Sequence, residues 1–122
     1  MRSGKSFLLR HLLLFCLCFT VLYRRITMIS FTVRMRFASE DHDDIERILR
    51  ELTRSSRRES GCVTYVPHFV DGDANTVVIY EQYLDEAAVE FHRGTPHFAQ
   101  FAIGGLYQKM LDRTVENLTA IA

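Results

Sequence analysis

The chain has 122 residues, with 15 Lys plus Arg, 15 Asp plus Glu and a formal net charge of zero, a size that one domain accommodates. An ordinary apolar and charged content excludes a disordered chain, and two Pro with six Gly exclude a collagen-like or linker-rich one. Three Cys cannot build a disulfide framework, and the Cys pairs of a Cys₄ or Cys₂His₂ zinc site are absent beyond residue 18.

The charge is unevenly spread. Residues 1–27 hold Arg2, Lys5, Arg10, Arg24 and Arg25 and no acid. Residues 28–122 therefore carry ten basic groups against fifteen acidic ones, a net of −5. A mildly acidic body argues against nucleic acid as a partner. Within the first 27 residues, positions 12–23 (LLLFCLCFTVLY) are apolar throughout. That run is shorter than the roughly 20 residues of a membrane-spanning helix. A basic start and a short apolar stretch resemble a signal peptide or anchor, without an A-x-A cleavage site. The other reading is a misplaced start, because Met28 opens directly into a strand. Cys16 and Cys18 form a C-x-C pair, read as hydrophobic packing rather than as metal ligands. Residues 28–122 are expected to form the domain with no membrane contact, cytoplasmic if translation starts at Met28 and anchored or exported if residues 1–27 are present.

Residues 29–37 alternate strictly. Ile29, Phe31, Val33, Met35 and Phe37 share one face, and Ser30, Thr32, Arg34 and Arg36 the other. Period two over nine residues predicts a strand. The acidic stretch Ser39 to Asp44 supplies capping residues and suits a helix N-terminus, with His42 among them expected in solvent. The helix is predicted to run to about Arg58, with Ile45, Ile48, Leu49 and Leu52 as its apolar stripe. Arg54, Arg57 and Arg58 complement its C-terminal end, and Glu59-Ser60-Gly61 stop it.

Residues 62–70 read as a second strand, which Pro67 places at an edge or bulge. A turn over residues 71–75 leads to a third strand at 76–83. That strand is apolar on both sides at Val77 to Tyr80 and so is expected to be central. Asp85 caps a short helix from Glu86 to His92 or Arg93. A further helix starts near Pro96, with Phe98, Phe101 and Ala102 as its stripe. Gly104-Gly105 leaves open whether it resumes through Leu106 to Met110. Residues 114–121 close the chain as a fourth strand.

Strand, helix, strand, strand, helix, strand is the split βαβ, ferredoxin-like plan. The fold class is α+β, with a four-stranded antiparallel sheet and helices on one face. A 95-residue domain has a small core, and two sheets packed face to face would enlarge it and protect its edges. A homodimer is therefore expected.

Residues 59–101 carry a connected pattern: E-x-G-C-x-x-Y, then I-Y-E-x-Y-x-D-E-A-A, then H-x-x-T-P-H-F. This resembles the antibiotic biosynthesis monooxygenase, or quinol monooxygenase-like, family over nearly all of residues 28–122. The resemblance implies a dimeric α/β barrel with a pocket between sheet and helices in each protomer. It implies one of several activities: cofactor-free oxygenation of quinols and anthrones, haem degradation, or isomerisation of a phosphorylated autoinducer-2 sugar. The haem-degrading pattern is not matched. Tyr83 stands where that type has Trp, Ala102 near its haem-ligand His, and the first strand has no Asn.

Oxygenation without a cofactor needs a base, an apolar pocket and donors for the substrate oxygens. No GxGxxG or P-loop points to a nucleotide, and no cofactor or metal is expected. His97 is the first choice for the base, since an imidazole titrates at about 6.5. The alternative is that it caps its helix. Tyr83 and His68 are expected to orient the substrate. Tyr65, Phe98 and Phe101 would line the pocket, with Glu81, His92 and Arg34 as further binding residues. Each also has a structural reading: His92 as a cation at a helix C-terminus, Glu81 as the partner of Arg34 or Arg36, the aromatics as plain core. Cys62 reads as a buried, inert thiol. His92 and His97, five apart across a helix break, are poorly spaced for two ligands on one face. The expected function is cofactor-independent oxidation of a quinol-like or polycyclic phenol by O₂. The alternatives are an isomerase of a phosphorylated hydroxy-ketone, with Arg34, Arg36 or Arg93 as anion anchor, and a non-catalytic binding dimer. An enclosed apolar cavity would favour the first, an Arg directed into it the second, and a filled core the third.

Overall fold

In the computed structural model, residues 27–122 are described. The readings of residues 1–26, the apolar run and the C-x-C pair among them, lie outside the described residues. Strand β1 (Ile29–Arg36) leads through a short 3₁₀ turn, Ser39–Asp41, into helix α1 (His42–Ser56). Strands β2 (Cys62–Val70) and β3 (Asp73–Tyr83) follow, then helix α2 (Glu86–Arg93). A wide, π-helical stretch, Phe98–Leu106, continues as the α-helical turn Tyr107–Lys109, and we refer to the two together as α3. Strand β4 (Asp112–Leu118) completes the sheet. The sheet order is β2-β3-β1-β4 with every neighbouring pair antiparallel, which is the ferredoxin-like arrangement expected.

The alternation in β1 sets the core. Phe31, Val33, Met35 and Phe37 are buried, while Arg34 and Arg36 are exposed on the opposite face. Across the ladder, Phe31 pairs with Glu81 and Val33 with Ile79. The helix-facing side of β3 is therefore Val77, Ile79, Glu81 and Tyr83, all buried. α1 lays Ile45, Ile48, Leu49 and Leu52 on this side. Its spacing of three and four keeps these residues on one stripe.

Several boundaries differ from expectation. α1 ends at Ser56 rather than Arg58, and Arg57 turns back to donate from Nε to the Tyr65 carbonyl at 2.9 Å. β3 begins at Asp73, because the turn closes in two residues with Gly72 at φ +77°. That left-handed backbone is open to glycine. β4 spans Asp112–Leu118 instead of 114–121, since its pairing with β1 starts at Arg36–Asp112. α3 does run on past Gly104-Gly105, absorbing them in wide helical turns. β2 is an edge strand, as Pro67 favours, and its register shifts near each end, between Cys62 and Thr64 and between Phe69 and Val70. His42 is only partly in solvent. Its ring stacks on Phe69 at 4.5 Å, and Nδ1 donates to the Ala74 carbonyl at 2.9 Å. Gly61 is where the chain passes α2 most closely: a Cβ there would lie 2.4 Å from Ala88 Cβ.

Candidate active site

Between the sheet and α2–α3, five polar side chains form one buried chain of interactions. Glu59, in the bend between α1 and β2, receives two imidazoles on the same oxygen. His92 Nδ1 donates to Oε2 at 2.8 Å, and His97 Nε2 donates to it at 2.6 Å. Glu59 and His92 are buried, whereas His97 keeps a fifth of its side chain exposed. The far nitrogen of His92, Nε2, faces Glu81 Oε2 at 3.9 Å. Tyr83 donates its hydroxyl to that same oxygen at 2.7 Å. The sequence of contacts runs His97, Glu59, His92, Glu81, Tyr83, from a partly wet end to a dry one.

Local structure explains the placement. His92 is in the last turn of α2, whose N-cap Asp85 accepts from Ala88 N at 2.9 Å. Thr95 then locks the corner, donating from its hydroxyl to the His92 carbonyl at 2.7 Å and accepting from Phe98 N. The corner aims His97 back at the carboxylate that His92 already holds. Two imidazoles five residues apart thus meet from two helices, which single-helix spacing does not provide.

Burial shifts the titrations. Glu81 is raised to about 7, chiefly by loss of water, with the Tyr83 hydrogen bond and the charges of Arg93 and Arg113 opposing. Burial lowers His92, and the bond to Glu59 only partly offsets it. The Tyr83 and Tyr65 phenols are raised by burial and by the nearby Glu81 carboxylate. The Cys62 thiol is pushed up to about 11, first by burial and then by Glu59 and Glu81, so it is a poor nucleophile at neutral pH.

A cavity of about 30 Å³ lies beside Glu81 and His92, walled mainly by apolar side chains including Phe31, Tyr65, Phe98 and Leu106. It has room for about two waters, or a molecule of similar size. Its exposed margin carries Arg93 and Arg113. An adjoining cleft of about 240 Å³ shares Phe31 and Arg93 with it and extends to Val89, Glu90 and Asn117.

The expected site residues divide into two groups. Tyr65, Glu81, His92 and Phe98 line the cavity. Tyr83 stands behind Glu81, fully buried rather than at a rim, with its hydroxyl already donating a hydrogen bond to the carboxylate. His97 reaches the network through Glu59 but not the cavity wall. Phe101 packs against the core without lining the cavity. His68 lies apart, in a groove of about 190 Å³ between α1 and β2, with Nδ1 donating to the Val78 carbonyl at 3.2 Å. Arg34 is on the open sheet face, and Arg36 pairs with Asp112 at 2.9 Å, so neither partners Glu81. The β1 alternation dictates this, since Arg34 is out of phase with Phe31 and Val33. Glu59 was not anticipated as a site residue. Its signal was the E-x-G-C motif itself, in which it reads locally as a helix stop.

Glu59, His92 and His97 also place one ligand atom each within 4.8 Å of one another, a donor set of the His₂Glu kind that zinc accepts. In the arrangement described, the imidazoles are satisfied by hydrogen bonds to one carboxylate oxygen, while Glu59 Oε1 is buried without a partner among the described residues.

A ferredoxin-like domain with a small apolar cavity, a buried Glu–His pair and no nucleotide-binding loop defines a class of compact α+β small-molecule proteins. The chain belongs to the antibiotic biosynthesis monooxygenase family, whose model matches residues 28–102. It is 32% identical over 78 residues to YcnE of Bacillus subtilis, named a candidate monooxygenase, a match covering 64% of this chain and 82% of that one. Among solved structures it is similar to PA3566 of Pseudomonas aeruginosa, with 30% identity and a TM-score of 0.73, covering 80% of this chain and 98% of that one. It is also similar to an antibiotic biosynthesis monooxygenase-type protein of Bacteroides thetaiotaomicron, with 25% identity and a TM-score of 0.74, covering 79% and 91%. No helix among the described residues is long and apolar enough to cross a membrane.

Proposed function

We propose that this protein is a cofactor-independent monooxygenase of a small quinol-like or phenolic substrate, with His92 as the base. The observation that carries the reading is the buried Glu59–His92 pair. A carboxylate on Nδ1 fixes the proton there and leaves Nε2 as an acceptor beside the cavity. This is the orienting logic of a carboxylate–imidazole pair in hydrolases, without the nucleophile. His92 is lowered by burial, which keeps it neutral and receptive near pH 7. His97, first choice as base on sequence, becomes the positioning residue that holds Glu59 from the surface side.

His92 Nε2 takes a phenolic proton, and Glu59 stabilises the imidazolium. The electron-rich phenolate passes electrons to O₂ and combines with it. The substrate loses two hydrogens and gains one oxygen, and the second oxygen leaves as water, so no external reductant is needed. Glu81, raised to about 7 and held from behind by the Tyr83 hydroxyl, supplies in its protonated form a donor to the developing oxyanion. The inner cavity suits a molecule the size of O₂, and the ring occupies the adjoining cleft. We place the domain in the cytoplasm if translation begins at Met28.

We further infer a homodimer. Val66, Val78 and Tyr80 lie half-buried on the sheet face that no helix among the described residues covers, and a second copy packed there would complete their burial.

The test is oxygen uptake with a panel of quinols, corrected for autoxidation. Saturable uptake that falls at least 100-fold in His92→Gln, with an unchanged melting temperature, is expected. Full turnover in that variant would remove His92 as the base. Turnover of a phosphorylated hydroxy-ketone with no oxygen uptake would favour the isomerase instead.

A further inference from the structure

The margin of the cavity is built from arginine. Arg93, in the last turn of α2, and Arg113, on β4, line the same opening from opposite elements. Both are exposed, and among the described residues neither forms an ion pair. Elsewhere Arg36, Arg47, Arg50 and Arg54 each hold a carboxylate. Arg113 is not loose: its guanidinium lies 5.2 Å over the Tyr107 ring, which itself lines the cavity. That stacking fixes the fork without using its hydrogen-bond donors.

We infer that the substrate is an aromatic anion, a phenol bearing a carboxylate or phosphate that docks between Arg93 and Arg113. The inference rests on the reading of the site as a phenol-oxidising centre and names its substrate class. Two guanidinium groups at one opening, neither held in an ion pair among the described residues, attract an anion, and the planar fork matches a carboxylate or phosphate with paired hydrogen bonds. Glu86 and Glu90 line the cleft beside Arg93, which makes that side less positive. The anion therefore rests nearer Arg113. The size of the site bounds the rest of the molecule. Pockets for drug-sized ligands run to about 300–1,000 Å³. A cleft of about 240 Å³ with a small inner cavity takes one or two fused rings rather than three or more. This narrows the polycyclic option entertained on sequence alone.

The test is titration calorimetry on the full 122-residue chain with three redox-stable probes: 2-naphthol, 3-hydroxy-2-naphthoate and 2-naphthyl phosphate. At least one anionic probe is expected to bind about tenfold more tightly than 2-naphthol at low salt. The advantage should shrink in 0.5 M salt and vanish in the double variant Arg93→Gln/Arg113→Gln, which is expected to bind all three probes with similar affinity. Which anion binds more tightly distinguishes carboxylate from phosphate. Equal binding of all three probes by the parent overturns this inference alone, as does an advantage that survives the double variant. No binding of any probe at millimolar concentration overturns the ring-binding reading of the site, and this inference with it. Melting temperatures within 2 °C of the parent establish that the surface variants are folded.

Discussion

Replacing Glu81 by Gln should alter the pH dependence of stability in one direction. Glu81 is 5% exposed, and burial raises its carboxyl to about 7. In an unfolded chain a Glu titrates at about 4.3. Below that value the group is neutral in both states and contributes nothing. Between about 4.3 and 7 the unfolded chain ionises first, so the folded state loses stability as pH rises. Above 7 the whole penalty is present. At about 1.4 kcal/mol per tenfold in proton affinity, it is roughly 1 kcal/mol at pH 5 and somewhat over 3 kcal/mol at pH 8. Gln keeps the shape and still accepts from Tyr83, but carries no charge to bury. The advantage of Glu81→Gln over the parent should therefore grow by about 2.5 kcal/mol between pH 5 and pH 8. His92 acts with the opposite slope. Its imidazolium is penalised by burial, so it removes stability as pH falls below about 6.5. Comparing parent and variant at each pH separates the two. Urea unfolding at pH 5, 6, 7 and 8 measures the difference. A gap that stays within 0.5 kcal/mol over that range would refute the account of Glu81 as a buried, titrating acid.

Leu52 is 1% exposed and forms part of the cavity wall, so Leu52→Ala should cost about 2–5 kcal/mol in denaturant unfolding; a loss below 1 kcal/mol would mean that the wall collapses to fill the space. Gly61→Ala should cost about 1–3 kcal/mol through its clash with Ala88, and Ala88→Gly should restore most of the loss. Failure of that rescue would place the strain elsewhere. His68→Ala should leave kcat/KM for any substrate within twofold of the parent, because His68 lies in a different groove; a tenfold fall would bring that groove into the site. Prolonged dialysis against EDTA should leave oxygen uptake unchanged, and loss of activity restored by zinc would assign Glu59, His92 and His97 to a metal instead.

What could be read in the sequence was periodic. β1 announced its core face by strict alternation, and α1 announced its stripe by steps of three and four; both patterns follow from geometry that every residue of the element shares. Val77 to Tyr80 marked β3 as an inner strand, and Pro67 marked β2 as an edge, because each consequence is local to the residue that causes it. The wide turns of α3 were not legible in this way, since Gly104-Gly105 is compatible with a helix end as well as with a helix that widens. The candidate site was legible only in part for a different reason. Glu59 lies 33 residues from His92 and 38 from His97, and nothing in its neighbourhood says that two imidazoles will fold onto it. As a side chain at a helix end it reads as a stop; as the acceptor of two imidazoles, one buried and one partly exposed, it holds the Nδ1 proton of His92. The partner of Glu81 was misplaced by the same kind of distance. Arg34 and Arg36 are on the neighbouring strand, but three and five positions along from Phe31, the partner of Glu81, and on the wrong face. Tyr83, two residues along its own strand and on the same face, takes the bond instead. The alternation that identified β1 already contained this answer. A residue out of phase with Phe31 and Val33 cannot reach a carboxylate that is paired with Phe31. Phase therefore decides which side chains share the site, and long-range pairing decides what each of them does there.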